Sequence, residues 1–125
     1  MAGMIEIQYA VFCQEIDFSQ TPPVFKHPIS LCKLPEIEPD MKLVWPMFAT
    51  FIGGCGLHCL TIHIESPSGQ SSTLPDFSFE WPEGKPVHGE LFTVKFHPDT
   101  FGTYTFKLTV DGQSLRTFNI PIEKA

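Results

Sequence analysis

The feature that most constrains this sequence is its closing segment, Thr103 to Ile122, where Tyr104, Phe106, Leu108 and Val110 alternate with Thr103, Thr105, Lys107 and Thr109. A period of two puts the first set on one face of a pleated strand and the second on the other, so one face meets a core and the other meets water or a partner. Asp111-Gly112 follows at once and tolerates the positive φ angles of a two-residue hairpin turn, so the strand is expected to fold back on itself. The return strand does not match simply. A two-residue loop sets Leu115 opposite Leu108 but Thr117 and Asn119 opposite Phe106 and Tyr104, leaving Phe118, Ile120 and Ile122 on the wrong face. One residue has to be absorbed, by a longer loop with Gly112 or Gln113 left-handed or by a bulge near Arg116.

The rest of the chain follows the same grammar. Ile5, Ile7, Tyr9, Val11 and Cys13 alternate, and Ala10 and Phe12 make the second side apolar as the strand becomes central; Thr21-Pro22-Pro23 breaks it. Val24 to Cys32 reads as one short extended segment whose Pro28 suits an edge or a bulge. Lys42 to Ile52 is apolar on both sides, with Pro46 placed to bend or divide it. Leu57 to Glu65, Phe77 to Trp81 and Leu91 to Phe96 are further strands, separated by Ser66-Pro67-Ser68-Gly69 and by Pro82 to Pro86. No apolar repeat of 3.6 residues persists over the length of an ordinary helix. Seven to eight short strands joined by turns predict an all-β protein, an antiparallel sandwich in one domain spanning 1–125.

Charge excludes some partners. A formal charge of −6 with eight scattered basic residues argues against nucleic acid, whose binding draws on clustered Lys and Arg. No apolar run approaches the ~20 residues of a membrane span. No basic-flanked apolar leader opens the chain, so Cys13, Cys32, Cys55 and Cys59 are expected as reduced thiols of a cytoplasmic protein.

Three stretches carry a resemblance: Tyr9-Ala-Val-Phe-Cys13, Gly56-Leu-His-Cys-Leu-Thr-Ile-His-Ile-Glu-Ser-Pro-Ser-Gly69 and Phe101-Gly-Thr-Tyr-Thr-Phe-Lys-Leu-Thr-Val-Asp-Gly112. A Gly-x-His strand running into a Pro-x-Gly turn, then a Gly-x-Tyr strand running into Asp-Gly, resembles a bacterial family of unknown function with a single immunoglobulin-like β-sandwich domain. The resemblance covers nearly the whole chain. It implies an immunoglobulin-like fold and no established activity, cofactor or active-site residue.

Several constellations bring chemistry-bearing residues close together in the sequence. Cys55, His58, Cys59 and His63 look like a metal cluster, yet within one strand Cys59 and His63 lie ~13 Å apart and His58 points to the opposite side. The Cys55-Cys59/His63 segment is therefore the alternative reading, a small metal-binding protein or metal-dependent enzyme. The same strand resembles the Gly-x-His-Gly-x-His-x-His strand of copper–zinc superoxide dismutases, but the two metal-binding positions fall on Thr61 and His63, so one imidazole is missing. His58 and His63 also have the wrong parity for the His-x-His pair of a cupin. His88 near Glu90 and His97 near Asp99 border turns and read as exposed surface pairs. Phe77, Phe79, Trp81, Phe92 and Phe96 read as inner-face core before they read as a ligand pocket.

What remains is a non-enzymatic binding or assembly module without a cofactor, taking a protein partner through loops or a sheet edge; a homo-oligomer, as in a repeated phage or secretion subunit, is a further alternative. The two least regular connections, Leu34 to Asp40 and Pro82 to His88, nominate Glu36, Glu38, Asp40, Glu83, Lys85 and His88 as contact residues.

Overall fold

The computed structural model describes residues 5–19, 24–74 and 76–125, and the Thr21-Pro-Pro break lies outside them. Ten strands follow in order: β1 (Glu6–Asp17), β2 (Val24–Pro28), β3 (Cys32–Leu34), β4 (Leu43–Ile52), β5 (Gly56–Glu65), β6 (Ser71–Thr73), β7 (Phe77–Trp81), β8 (Val87–Phe96), β9 (Gly102–Val110) and β10 (Gln113–Lys124). One sheet has the order β2-β1-β4-β8 and the other β3-β10-β9-β5-β6, with β7 also pairing β5. The strand count exceeds the expected seven to eight for two reasons. The segment after Val24 divides, with β2 pairing β1 and β3 crossing to the other sheet, where it runs parallel to β10. β6 is three exposed residues with no apolar alternation to announce it.

The inner faces are those the alternation marks. Tyr104, Phe106, Leu108 and Val110 are buried, as are Leu60, Ile62 and Ile64 of β5 and Phe92, Val94 and Phe96 of β8. Phe79 and Trp81 join this core, while Phe77 is only half-buried. Burial at about 25 cal/mol per Å² of apolar surface makes this interior the main stabilising term.

Three irregularities reconcile the sequence with the register. In the closing hairpin Val110 pairs Gln113 across a two-residue turn, with φ of 51° at Asp111 and 82° at Gly112. Ser114 faces Thr109 but Arg116 faces Leu108, so Leu115 is the bulged residue and Phe118, Ile120 and Ile122 regain the correct side. In β1 the register shifts between Ile7 and Tyr9. The inward set is therefore Ile5 and Ile7, then Ala10 and Phe12, and Tyr9 emerges on the outer face rather than in the core. Pro46 neither bends nor divides β4. It pairs Thr93 of β8 within an unbroken register and sits one residue beyond the last pair with β1, Phe12 with Met47, where the ladder on that side has ended.

The turn before β9 is closed by Tyr104. Its hydroxyl donates to the Thr100 carbonyl at 2.7 Å, with the Asp99 carboxylate as a second acceptor at 3.0 Å, and it accepts from the backbone N–H of Asp99 and Thr100. This is the tyrosine corner of immunoglobulin-like sandwiches, here built on the Gly-x-Tyr strand.

Candidate functional site

The six nominated contact residues do not form one site. Leu34 to Asp40 precedes the start of β4, whereas Pro82 to His88 leads into the start of the antiparallel β8, so the two loops lie at opposite ends of the sandwich. Ten residues of strand separate them, about 30 Å at ~3.3 Å per residue. Glu36, Glu38 and Asp40 are all exposed, and a bond from the Met41 N–H to the Glu38 carbonyl closes the turn that holds Asp40 at a φ of 63°. Glu83 and Lys85 are exposed at the other end.

His88 is different. It points between the sheets, its ring stacked on Phe79 at 6° and on Trp81 at 23°, and its Nε2 lies 3.0 Å from the Glu90 carboxylate. The exposed surface pair expected here is instead an inward one, because His88 and Glu90 continue the inner face of Phe92, Val94 and Phe96. His97 and Asp99 do not pair: His97 bonds the Met41 carbonyl through Nδ1, and Asp99 bonds Ser68 and Tyr104.

A second imidazole closes the same end. His58, inward on β5, lies against Phe79 and Trp81. Its Nδ1 faces the Asp111 carboxylate and its Nε2 the Gly54 carbonyl at 3.1 Å. Both partners are acceptors, so a bond to either is donated by a ring N–H. Asp111 also accepts the Cys59 N–H, and its own N–H donates to the Cys59 carbonyl. Burial acts to raise the Asp111 carboxyl, but bonds from His58 and the Cys59 N–H prevail and hold it below its ordinary value. Trp81 Nε1 donates to the Lys85 carbonyl at 2.7 Å, fixing the Pro82–Pro86 turn. An open hollow of about 470 Å³ between this turn and Gly53-Gly54-Cys55 is the result. No hydroxyl or thiol is hydrogen-bonded to either imidazole among the described residues, so the nucleophile–base contact of covalent catalysis is not assembled there.

The Cys/His strand is split by its pleat. Cys59 and His63 point outward and His58 inward, and His63 Nδ1 is engaged with the Thr73 hydroxyl at 2.9 Å. Burial and then the neighbouring Asp76 push the Cys59 thiol up, away from the thiolate a metal requires. Among the described residues no group of three or more His, Cys, Asp or Glu side chains is placed to hold a metal.

Sequence reasoning missed the most accessible feature, the free side of the sandwich. β8 ends the first sheet and lies over β7, itself an outer strand of the second, so two strand edges run along one flank. Two adjoining cavities of about 300 and 310 Å³ open along this flank and share Leu74 and Lys95, the first between the β5–β6 turn and the end of β8, the second between β7 and β8. Ile64, Phe96 and Tyr104 wall the first, Phe77 and Thr93 the second. Alternation marked β8 as a strand, but which strands end a sheet is a property of topology and has no local signature.

Comparison with known proteins bears on the fold. No family model and no curated protein matches this chain. Among solved structures it is similar to the CARDB domain of the PF1109 protein of Pyrococcus furiosus, determined in complex with di-metal ions. The TM-score is 0.52 at 9% identity, covering 99% of this chain and 96% of that one. Likeness at that identity shows the fold, an immunoglobulin-like β-sandwich, and nothing of its ligands.

Proposed function

We propose that the protein is a non-enzymatic binding or assembly module that takes up an extended segment of another protein by strand addition along β8. One observation carries this reading. Sheet edges are normally blunted by shortness, proline or a bulge, since an open row of N–H and C=O groups recruits other strands. The other edges here follow that rule: β2 has five residues, ends in Pro28 and has His27 at a φ of 56°, β3 and β6 have three residues each, and β7 has five and runs into Pro82. β8 has ten residues, no proline and an unbroken register with β4 from Val87 to Phe96; its two charged residues, the inward Glu90 and the outward Lys95, are five positions apart and leave the stretch between them uncharged.

A generic binding role also suits a sandwich of this kind, and the reduced-thiol, cytoplasmic setting expected from the cysteines is part of the proposal. The two ions of the Pyrococcus furiosus domain are not carried over, because the acidic and imidazole side chains here are spread over both ends. The test is affinity capture from the native host with wild-type protein and with a Leu91→Lys/Thr93→Lys variant, two outward positions on β8. Loss of specific partners from a variant that melts like wild type is the expected outcome. An identical set of captured partners would remove β8 from the mechanism.

A further inference from the structure

The free flank also limits what β8 accepts. A strand added to β8 lies about 4.8 Å beyond it, and its alternate side chains point down between the sheets, as Phe92, Val94 and Phe96 do. There they meet the two cavities, whose apolar walls are Leu74, Phe77, Phe96 and Ile64 and whose polar rims include Asp99 in the first and Asp76 in the second. Beyond Phe92 the inner row continues to Glu90, one oxygen of which is held by His88, with about a third of its side chain exposed. On the outer row Lys95 is exposed, and no acidic side chain lies within ion-pairing distance of it among the described residues.

A second copy does not meet these demands. In a two-fold β8–β8 pairing, the inward residues of the added strand are Phe92, Val94 and Phe96, already buried in their own core. They cannot turn into the cavities of the first copy. Every antiparallel register from a dyad at Leu91 to one at Thr93 also sets Glu90 across from Phe92, Val94 or Phe96, and each copy brings a net charge of −6. A strand with both faces free has neither difficulty.

We propose that β8 takes up a foreign antiparallel segment with apolar side chains at the inward positions facing Phe96, Val94 and Phe92, an acidic residue facing Lys95 and a basic residue facing Glu90. This rests on the strand-addition reading above and adds to it the register and chemistry of the occupant. Main-chain bonds to the β8 edge supply affinity, the cavities select alternation, and the two charges fix direction.

The probe is the capped peptide Ser-Leu-Glu-Leu-Thr-Ile-Thr-Lys-Ser, compared with Ser-Leu-Leu-Ile-Glu-Thr-Thr-Lys-Ser, which has the same composition without alternation. Binding is read by amide hydrogen exchange on the full chain, with the mass of the free protein followed on dilution. The expected result is new protection at every second amide of β8, and binding at least tenfold tighter than the control. Lys95→Glu should weaken the peptide by about twofold to fivefold, and replacing the peptide's Glu by Lys should restore it. Equal binding of both peptides, or protection away from β8, overturns the proposal and leaves the capture experiment to judge the broader reading. A mass that doubles with concentration, with β8 protected in the absence of peptide, also overturns it, because the occupant is then a second copy and only strand addition itself survives.

Discussion

The ring of Phe48 points its tip at Gly89, so close that a Cβ on Gly89 would sit 2.6 Å from the Phe48 Cζ. Phe48 points outward from β4, and Tyr9, Phe18 and Phe25 pack around it with ring centroids 5.4–6.5 Å away. Gly89 thus leaves room for a small aromatic layer on the outer face of the first sheet, beside the edge proposed for partner binding. The ring is hemmed in by other rings and cannot simply swing aside. Gly89→Ala should therefore destabilise the protein by about 1–3 kcal/mol, as overpacking does, despite the better strand propensity of Ala. Chemical denaturation checks this, and Gly89→Ala with Phe48→Leu should recover part of the loss. A neutral Gly89→Ala would mean that the ring does not rest there.

Tyr104→Phe removes only the hydroxyl of the corner and leaves the aromatic body buried. The N–H groups of Asp99 and Thr100 and the Thr100 carbonyl then lose their protein partner, which should cost about 1–3 kcal/mol. Full truncation of the neighbouring inward ring, Phe106→Ala, opens a cavity in the centre of the core and should cost about 3–5 kcal/mol. Melting curves that rank the two substitutions in the reverse order would contradict the placement of both residues.

The same corner predicts an acid response. The Ser68 hydroxyl first, with Tyr104 and Ser66 after it, holds the Asp99 carboxyl below its ordinary value of 3.8, against a smaller opposing effect of burial. A depressed carboxyl contributes stability that is fully present above the unfolded value and is lost as pH falls through the folded one. Asp111, lowered as well, acts in the same direction. Stability should therefore decline below about pH 4, and Asp99→Asn should flatten that decline while lowering stability at neutral pH. A variant with an unchanged acid limb would show that the Ser68–Asp99 bond carries no linkage.

Thiol reactivity tests the packing of the cysteines and, with it, the reduced state expected of them. All four are free; Cys55 is exposed in its turn, while Cys13 is buried and burial pushes its thiol up. A soluble disulfide reagent added to native protein should modify Cys55 first and Cys13 last, and denatured protein purified without reductant should yield four thiols. Recovery of two or none would overturn the cytoplasmic setting.

Legibility in the sequence tracked how local the determining interaction is. Tyr104 to Val110 could be oriented from alternation alone because each side chain's face follows from its neighbours. β1 misled, since Ile5 and Ile7 share parity with Tyr9 and Val11, and only the bulge against β4 separates them. His88 was placed on a loop because Pro86 precedes it, yet its direction is set by the β8 pleat and by stacking on Phe79. Asp111 was legible as a turn residue, but not as the group that ties His58 to the turn, because the two are 53 residues apart. The free flank depends on which strand ends each sheet and was therefore beyond reach.

The bulge at Leu115 allows a sharper test of the hairpin than any substitution. Leu115 is the residue without a counterpart on β9, and beyond it the pairs Phe118 with Phe106 and Ile120 with Tyr104 depend on its being passed over. Deleting Leu115 leaves Ser114 facing Thr109 and Arg116 facing Leu108, so Phe118, Ile120 and Ile122 keep their side while Arg116 alone fills the inner row. Deleting Thr117 lets the bulge close instead: Leu115 then faces Leu108, Arg116 faces Lys107 and Phe118 still faces Phe106, an unbroken alternation. An extra serine between Phe118 and Asn119 has no bulge to absorb it. Ile120 and Ile122 then turn outward, and the two side chains, 3% and 0% exposed, each forfeit about 1.5–3 kcal/mol of burial. The Thr117 deletion should be at least as stable as the Leu115 deletion, and the insertion should be the most damaging of the three. Circular dichroism and thermal melts decide it: a Thr117 deletion that does not fold would mean that the register does not hinge on a bulge between Ser114 and Arg116.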